Sequence, residues 1–243
     1  MTEAAPAPEH KHEHRPVLRW GARLERDIPG VRYGAVLALL LVTFGFMASG
    51  PTGSWVPLVT VFLQGTTLMV ALVASEAGRR LVHVSIVVII LAAVGAVAVL
   101  LSDNSEAHGY ASILSFLLVG VAPIAIVQSI WRRRVIDIQT VLGAISIYIF
   151  IGMFFAFIFE SMGDISTNPF FAQQHTATIA DYLYFSFVTL TTTGYGDLTA
   201  AGGLGRAFAV LEALFGQIYL VTIVALLVSQ LATRIRRPPG EGG

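Results

Sequence analysis

The chain has 243 residues, 55% of them hydrophobic and 12% charged, with a formal net charge of zero and a mean hydropathy of +0.74. A soluble domain carries about 25% charged residues, so this composition excludes a soluble globular protein and describes an integral membrane one. There is no cysteine, hence no disulfide framework.

Residues 1–30 are polar and lack the pattern of a cleavable signal peptide. Within them "EHKHEH" sets His10, His12 and His14 at alternate positions. The segment reads as a solvated polar tail, a metal site being the alternative. "VLRWGARLERDIPG" then places Arg19, Trp20, Arg23, Leu24 and Arg26 at helical spacing. That pattern suits an interfacial helix on anionic lipid headgroups, or a positive flank to the first membrane span.

A bilayer core needs about 20 apolar residues per helix. Six stretches qualify: 31–49, 56–75, 81–101, 110–131, 141–159 and 207–232. A seventh, 179–190, is too short to span, and the decapeptide "TLTTTGYGDL" at 189–198 overlaps its end. A short apolar helix running into polar backbone at membrane depth is a re-entrant segment. Thr178 and Asp181 match the T-x-x-D capping box that would start it.

Every Lys and Arg except Arg206 falls on alternate sides of these six spans, on residues 1–32, at Arg79 and Arg80, at Arg132 to Arg134, and at Arg234, Arg236 and Arg237. The opposite loops carry Asp103, Glu106, Glu160, Asp164, Asp181 and Asp197. The excess of basic residues marks the cytoplasmic side, so both termini are expected there. The expected fold class is an all-α membrane protein with six transmembrane helices and one re-entrant helix.

The chemistry lies in Thr192, Thr193, Gly194, Tyr195, Gly196 and Asp197. Backbone without helical or barrel bonding is tolerated at membrane depth only where it lines water or is buried in protein. Glycines at alternate positions permit left-handed dihedrals without a Cβ clash. Alternating such residues with ordinary ones turns successive carbonyls to one side, and four copies around an axis would stack them as oxygen rings able to replace a cation's water shell. The C-terminal end of the short helix, partly negative from its macrodipole, favours cations there. Glu212 is an acid within an apolar span, a costly placement that implies a protein partner or a cavity; it is expected to hydrogen-bond the back of the short helix, a direct ion site being the alternative.

From residue 141 onward the chain resembles the potassium channels, whose filter signature is T-V-G-Y-G followed by Asp, between a short pore helix and a long inner helix. The resemblance implies a homotetramer, K+ as the permeant ion held by Thr192, Thr193, Gly194 and Tyr195, membrane lipids as surroundings, and no cofactor, catalysis or nucleic acid. It places Tyr184 and Phe185 where the family keeps an aromatic cuff around the filter. It places Gly216 at a hinge position, close helix packing being the alternative, and sets Gln217, Leu220, Val224 and Val228 toward the conduction path. Glu160, expected to end the fifth helix, lies where an acid ties the outer helix to the backbone beyond the filter; a solvated helix-end carboxylate is the alternative. Asp197 completes the signature.

The chain also departs from the family pattern. Thr193 replaces the usual valine, the fourth span "YASILSFLLVGVAPIAIVQSIW" has no arginine, and the inner helix "VLEALFGQIYLVTIVALLVSQL" lacks a proline pair. The expected organisation is therefore a cytoplasmic tail (1–30), a four-helix unit resembling an uncharged voltage sensor (31–134), a pore domain (135–233) and a short tail (234–243) with no ligand-sensing domain after it. The nearest likeness is the prokaryotic six-helix group without a sensor, in the plasma membrane. A weakly selective cation channel is disfavoured by the Tyr195-Gly196 pair. A potassium uptake transporter would need four pore loops per chain where one is visible, and a non-conducting membrane sensor would need an output domain.

Overall fold

The computed structural model describes residues 32–102, 105–132, 138–173 and 176–235. The possible interfacial helix and the histidine-rich tail lie outside the described residues. Seven helices carry the fold: α1 (Arg32–Ala48), α2 (Val56–Ala74), α3 (Arg79–Ser102), α4 (Ser105–Arg132), α5 (Ile138–Ile165), α6 (Ile179–Leu190) and α7 (Gly203–Ile235). The strand-like pairing among the described residues is a single antiparallel bridge between Phe171 and Ala200.

All six expected apolar stretches are helical. Four are long and apolar enough to cross a membrane, at Val56–Ala74, Arg79–Leu101, Gln139–Ile165 and Gly203–Ile223, while Tyr33–Ala48 and Ile113–Gln128 are shorter apolar helices. With 17 residues α1 sits at the lower end of the range of about 17–25 that a span requires. The fifth helix differs from its expected end. No proline follows Phe159 until Pro169, and α5 runs on to Ile165. Glu160 therefore lies inside the helix, one turn before Asp164, rather than ending it.

Helices α1 to α4 pack on one another and lean on α5 of the same chain, chiefly through α4, while α1 also reaches α6. At one end of α1 the Tyr33 amide, one of the first-turn donors that a helix cannot satisfy itself, donates to Gln139 Oε1 on α5 at 3.0 Å. Among the described residues α7 touches only α5 and α6. Its buried stripe is Gly205, Glu212 and Gly216, with Phe208, Ala209, Tyr219 and Ile223 half-buried beside it. The other faces expose Val210, Leu214, Phe215, Ile218 and Val221.

Lipid tails are as apolar as leucine, so helix association in a membrane rests on close packing and interhelical hydrogen bonds, the latter about 0.6 kcal/mol on average and up to about 1.7. Helices α5, α6 and α7 use both. Tyr219 on α7 donates to the Ala144 carbonyl of α5 at 2.6 Å, and its ring stacks on Tyr148 with centroids 5.9 Å apart. Tyr148 in turn donates to the Leu190 carbonyl at the end of α6 at 3.4 Å. On the other side of α6, Phe185 joins Phe159, Phe170 and Phe171 in an aromatic cluster whose ring pairs lie 4.9 to 5.9 Å apart.

Gly216 sets how near α7 can come. A Cβ built there would lie 2.3 Å from the Leu190 carbonyl oxygen. That oxygen is backbone at a helix end and cannot rotate away. Of the two sequence readings of Gly216, close packing is the one with a contact to support it. Gly216→Ala is expected to push α7 off the end of α6 and cost about 1–3 kcal/mol, seen as a lower thermal midpoint of the purified protein. An unchanged midpoint would refute this packing argument.

Candidate functional site

The site begins at the N-terminus of α6. The Thr178 amide and hydroxyl both donate to the Asp181 carboxylate, at 2.7 and 2.9 Å, so the expected capping box is present. Twelve residues later α6 ends in three threonines. The Thr191 amide donates to the Phe187 carbonyl, the Thr192 amide to Thr189, and the Thr193 and Gly194 amides both to Val188. These amides are spent on the last turn of the helix.

The carbonyls are not. Among the described residues no donor reaches the carbonyl oxygens of Thr192, Thr193, Gly194, Tyr195 or Gly196. The backbone over this run alternates in hand. Thr192, Gly194 and Gly196 have φ of 56°, 59° and 82°, whereas Thr193 and Tyr195 do not have positive φ. Alternation of left- and right-handed residues turns successive peptide planes the same way, which is the geometry expected from the glycine spacing. Thr192 adopts it without being a glycine, at a cost of about 1–2 kcal/mol. Its hydroxyl accepts a hydrogen bond from Gln217 Nε2 of α7 at 3.0 Å. The Thr193 hydroxyl, present where a valine is usual, pairs with the Thr191 hydroxyl at 2.8 Å.

The C-terminal end of this strand is tied down twice. Tyr184 on α6 donates to Asp197 Oδ2 at 2.7 Å, and that bond pushes the Tyr184 phenol up to about 12. Beyond Asp197 the chain pairs with the segment that precedes α6: the Ala172 amide donates to the Thr199 carbonyl and the Ala201 amide to Phe170. Gln173 bonds both the amide and the hydroxyl of Thr199. Arg206, the basic residue that broke the charge pattern, donates from Nε to the Ala200 carbonyl. At the C-terminal end of α5, Glu160 and Asp164 line a crevice of about 280 Å³ together with Thr60, Ser115 and Thr178. Burial first, then the negative charges of Asp164, Glu160 and Asp181, push the Tyr182 phenol up, so it stays neutral.

The sequence-derived residues are thus brought together unevenly. Thr192 to Asp197, Tyr184 and Gln217 form one connected strand with its supports. Phe185 is buried in the aromatic cluster, where its ring anchors α6 from behind rather than standing beside the filter. Glu160 sits toward the four-helix unit. Leu220 is exposed on α7, and the side chains of Val224 and Val228 lie outside the described residues. Glu212 is fully buried and its Oε1 meets Ser186 Oγ on α6, as expected for an acid behind the short helix. Ser186 itself was not singled out by sequence reasoning. A lone serine in "IADYLYFSFVTL" opposite an acid on the next span was the available signal. Tyr148 and Tyr219, which clasp the end of α6, carried none.

The strand from Thr191 to Asp197 is exposed along its whole length in a single chain, with Tyr195 71% exposed. Fold and site together describe an all-α membrane protein in which a short helix leads into a strand whose carbonyls no donor among the described residues reaches. Residues 143–233 match a family described as ion channel. The calcium-activated potassium channel slo-1 of Caenorhabditis elegans is 34% identical over 84 residues, a match covering 35% of this chain and 7% of that protein. No solved structure gives a match.

Gln217→Met keeps the length of the side chain but removes its donor. It is expected to loosen Thr192 by about 1 kcal/mol, read as a lower thermal midpoint of the purified protein. Equal midpoints of the two proteins would show that Gln217 does not hold the strand.

Proposed function

We propose that the chain is one subunit of a homotetrameric, potassium-selective channel that conducts K+ passively across the plasma membrane. The observation that carries this reading is the run of five carbonyls from Thr192 to Gly196 without donors, on a backbone of alternating hand. One such strand cannot surround an ion; four around an axis form the oxygen rings that replace a hydration shell. The exposure of the strand and of the apolar α7 faces supports closure by other copies, and closed cyclic symmetry is the usual form of such assemblies. Potassium is favoured over other cations by the Gly-Tyr-Gly-Asp sequence and by the potassium-channel relative. We place the chain in the six-helix branch without sensor arginines, with both termini cytoplasmic, because basic residues alternate along the chain and none falls within the third or fourth apolar stretch.

Flux from proteoliposomes of the pure protein tests this directly, with potassium expected to pass and sodium to be excluded. Gly196→Ala separates dihedral from space, because a Cβ there meets nothing within 4 Å but must sit at φ +82°. The variant is expected to lose potassium conduction or its selectivity. Wild-type selectivity in Gly196→Ala would overturn the filter assignment, and equal sodium and potassium flux in the wild type would favour a weakly selective cation channel.

Voltage dependence follows from the same charge pattern. Steep gating needs about 3–4 charges per subunit moving through the field. Between residues 81 and 131 there is no Lys or Arg. Arg79 and Arg80 stand at the start of α3, and His83 at the first turn is bonded to the Arg79 carbonyl. Planar-bilayer recording is expected to give an open probability that changes little with voltage. A steep curve, unaltered when rubidium replaces potassium, would contradict this.

A further inference from the structure

The contact between α7 and α6 contains a proton-counting problem. Ser186 Oγ lies 2.6 Å from the Gly152 carbonyl oxygen of α5 and also bonds Glu212 Oε1 of α7. A hydroxyl carries one proton. If Glu212 were ionised, that proton would have to point at Oε1, and the close Ser186–Gly152 contact would hold two oxygens with no hydrogen between them. The second carboxylate oxygen, Oε2, has no hydrogen-bond partner among the described residues, and the residue is 0% exposed. Half a negative charge would be left bare between three helices, a far larger penalty than an unpaired neutral carbonyl.

One added proton resolves every contact. The Glu212 acid group donates to Ser186 Oγ, the Ser186 hydroxyl donates to the Gly152 carbonyl, and Oε2 is left as an uncharged C=O. We propose that Glu212 is a positioning residue held as the neutral acid, and that through Ser186 it clamps α6 between α5 and α7. The groups facing it offer no countercharge. Ser186 comes from α6. From α5 comes Tyr148, whose hydroxyl is already donating to Leu190. The nearest cation on α7 itself is Arg206, six residues away and bonded to Ala200. Loss of the proton would drive α7 away from α6. Gly216 and Gln217, one turn further along α7, would then leave Leu190 and Thr192. The link to the filter rests on the conduction reading; the protonation state does not.

The sign of the pH effect is determined. An unfolded glutamate is ionised at neutral pH, so the folded protein holds one more proton than the unfolded chain, and stability falls as pH rises. The full protein in detergent is examined by infrared spectroscopy and by thermal unfolding from neutral to alkaline pH, alongside Glu212→Gln and Ser186→Ala. At neutral pH the wild type is expected to show a carboxylic-acid C=O band that Glu212→Gln lacks and Ser186→Ala shifts. Relative to Glu212→Gln, wild-type stability is expected to fall with rising pH, by at most about tenfold in the folding equilibrium per pH unit. The amide of Glu212→Gln can donate as the acid does, so this variant is expected to fold and to protect its filter as the wild type does. The absence of a band difference, parallel pH profiles, or failure of Glu212→Gln to fold would each overturn the proposal. None of these readouts needs ion flux, so a protein that fails to conduct can still meet or fail them.

Discussion

The close approach of α7 to the C-terminal end of α6, at Gly216 against the Leu190 carbonyl, is the contact on which the rest of the re-entrant region depends. It brings α7 within reach of three different groups of the re-entrant segment. Below it Glu212 meets Ser186, at it the helix backbones touch, and above it Gln217 meets Thr192. These contacts fall within six consecutive positions of one helix, so a displacement of α7 by a fraction of an ångström is felt by all of them. Hydrogen bonds in such a row are coupled, and their individual strengths do not add.

The same contact explains why irregular backbone can exist here at all. A strand at membrane depth must find partners for its polar groups or line a wet path. The amides of Thr192 to Gly194 find theirs on the last turn of α6. Past Asp197 the chain is pinned by Tyr184 and by its pairing with the segment before α6. Between these anchors the amides as far as Gly194 are used, while the carbonyls from Thr192 to Gly196 stay open among the described residues. That row of open acceptors, rather than any single side chain, is the chemical character of the site.

Around this centre the remaining helices divide the work. The aromatic cluster of Phe159, Phe170, Phe171 and Phe185 holds α6 from behind, each favourable ring pair contributing about 0.5–1.5 kcal/mol beyond its buried area. Tyr148 holds its other end through a hydrogen bond to Leu190, with Tyr219 stacked on its ring and bonded to Ala144 of α5. The four-helix unit stands against α5 and reaches α6 through α1, where Phe44 meets Phe187 edge to face at 5.0 Å. That unit therefore touches the re-entrant helix directly.

Much of this was legible in the sequence because the membrane imposes simple rules. Apolar runs of span length, basic residues on alternate sides, a threonine-aspartate cap and glycines at alternate positions each follow from local chemistry, and the helices, the cap and the alternating φ values match them. What the sequence left open were distances between helices. It allowed Gly216 to be a hinge or a contact, ended the fifth helix at Glu160, set Phe185 beside the filter, and offered no sign of Tyr148, Tyr219 or Ser186. Those features depend on which face of one helix meets which face of another. In a bilayer every apolar face is equally welcome, so hydrophobic periodicity does not choose the partner. Only the packed structure, in which a missing Cβ lets two backbones touch, decides which acid meets which hydroxyl.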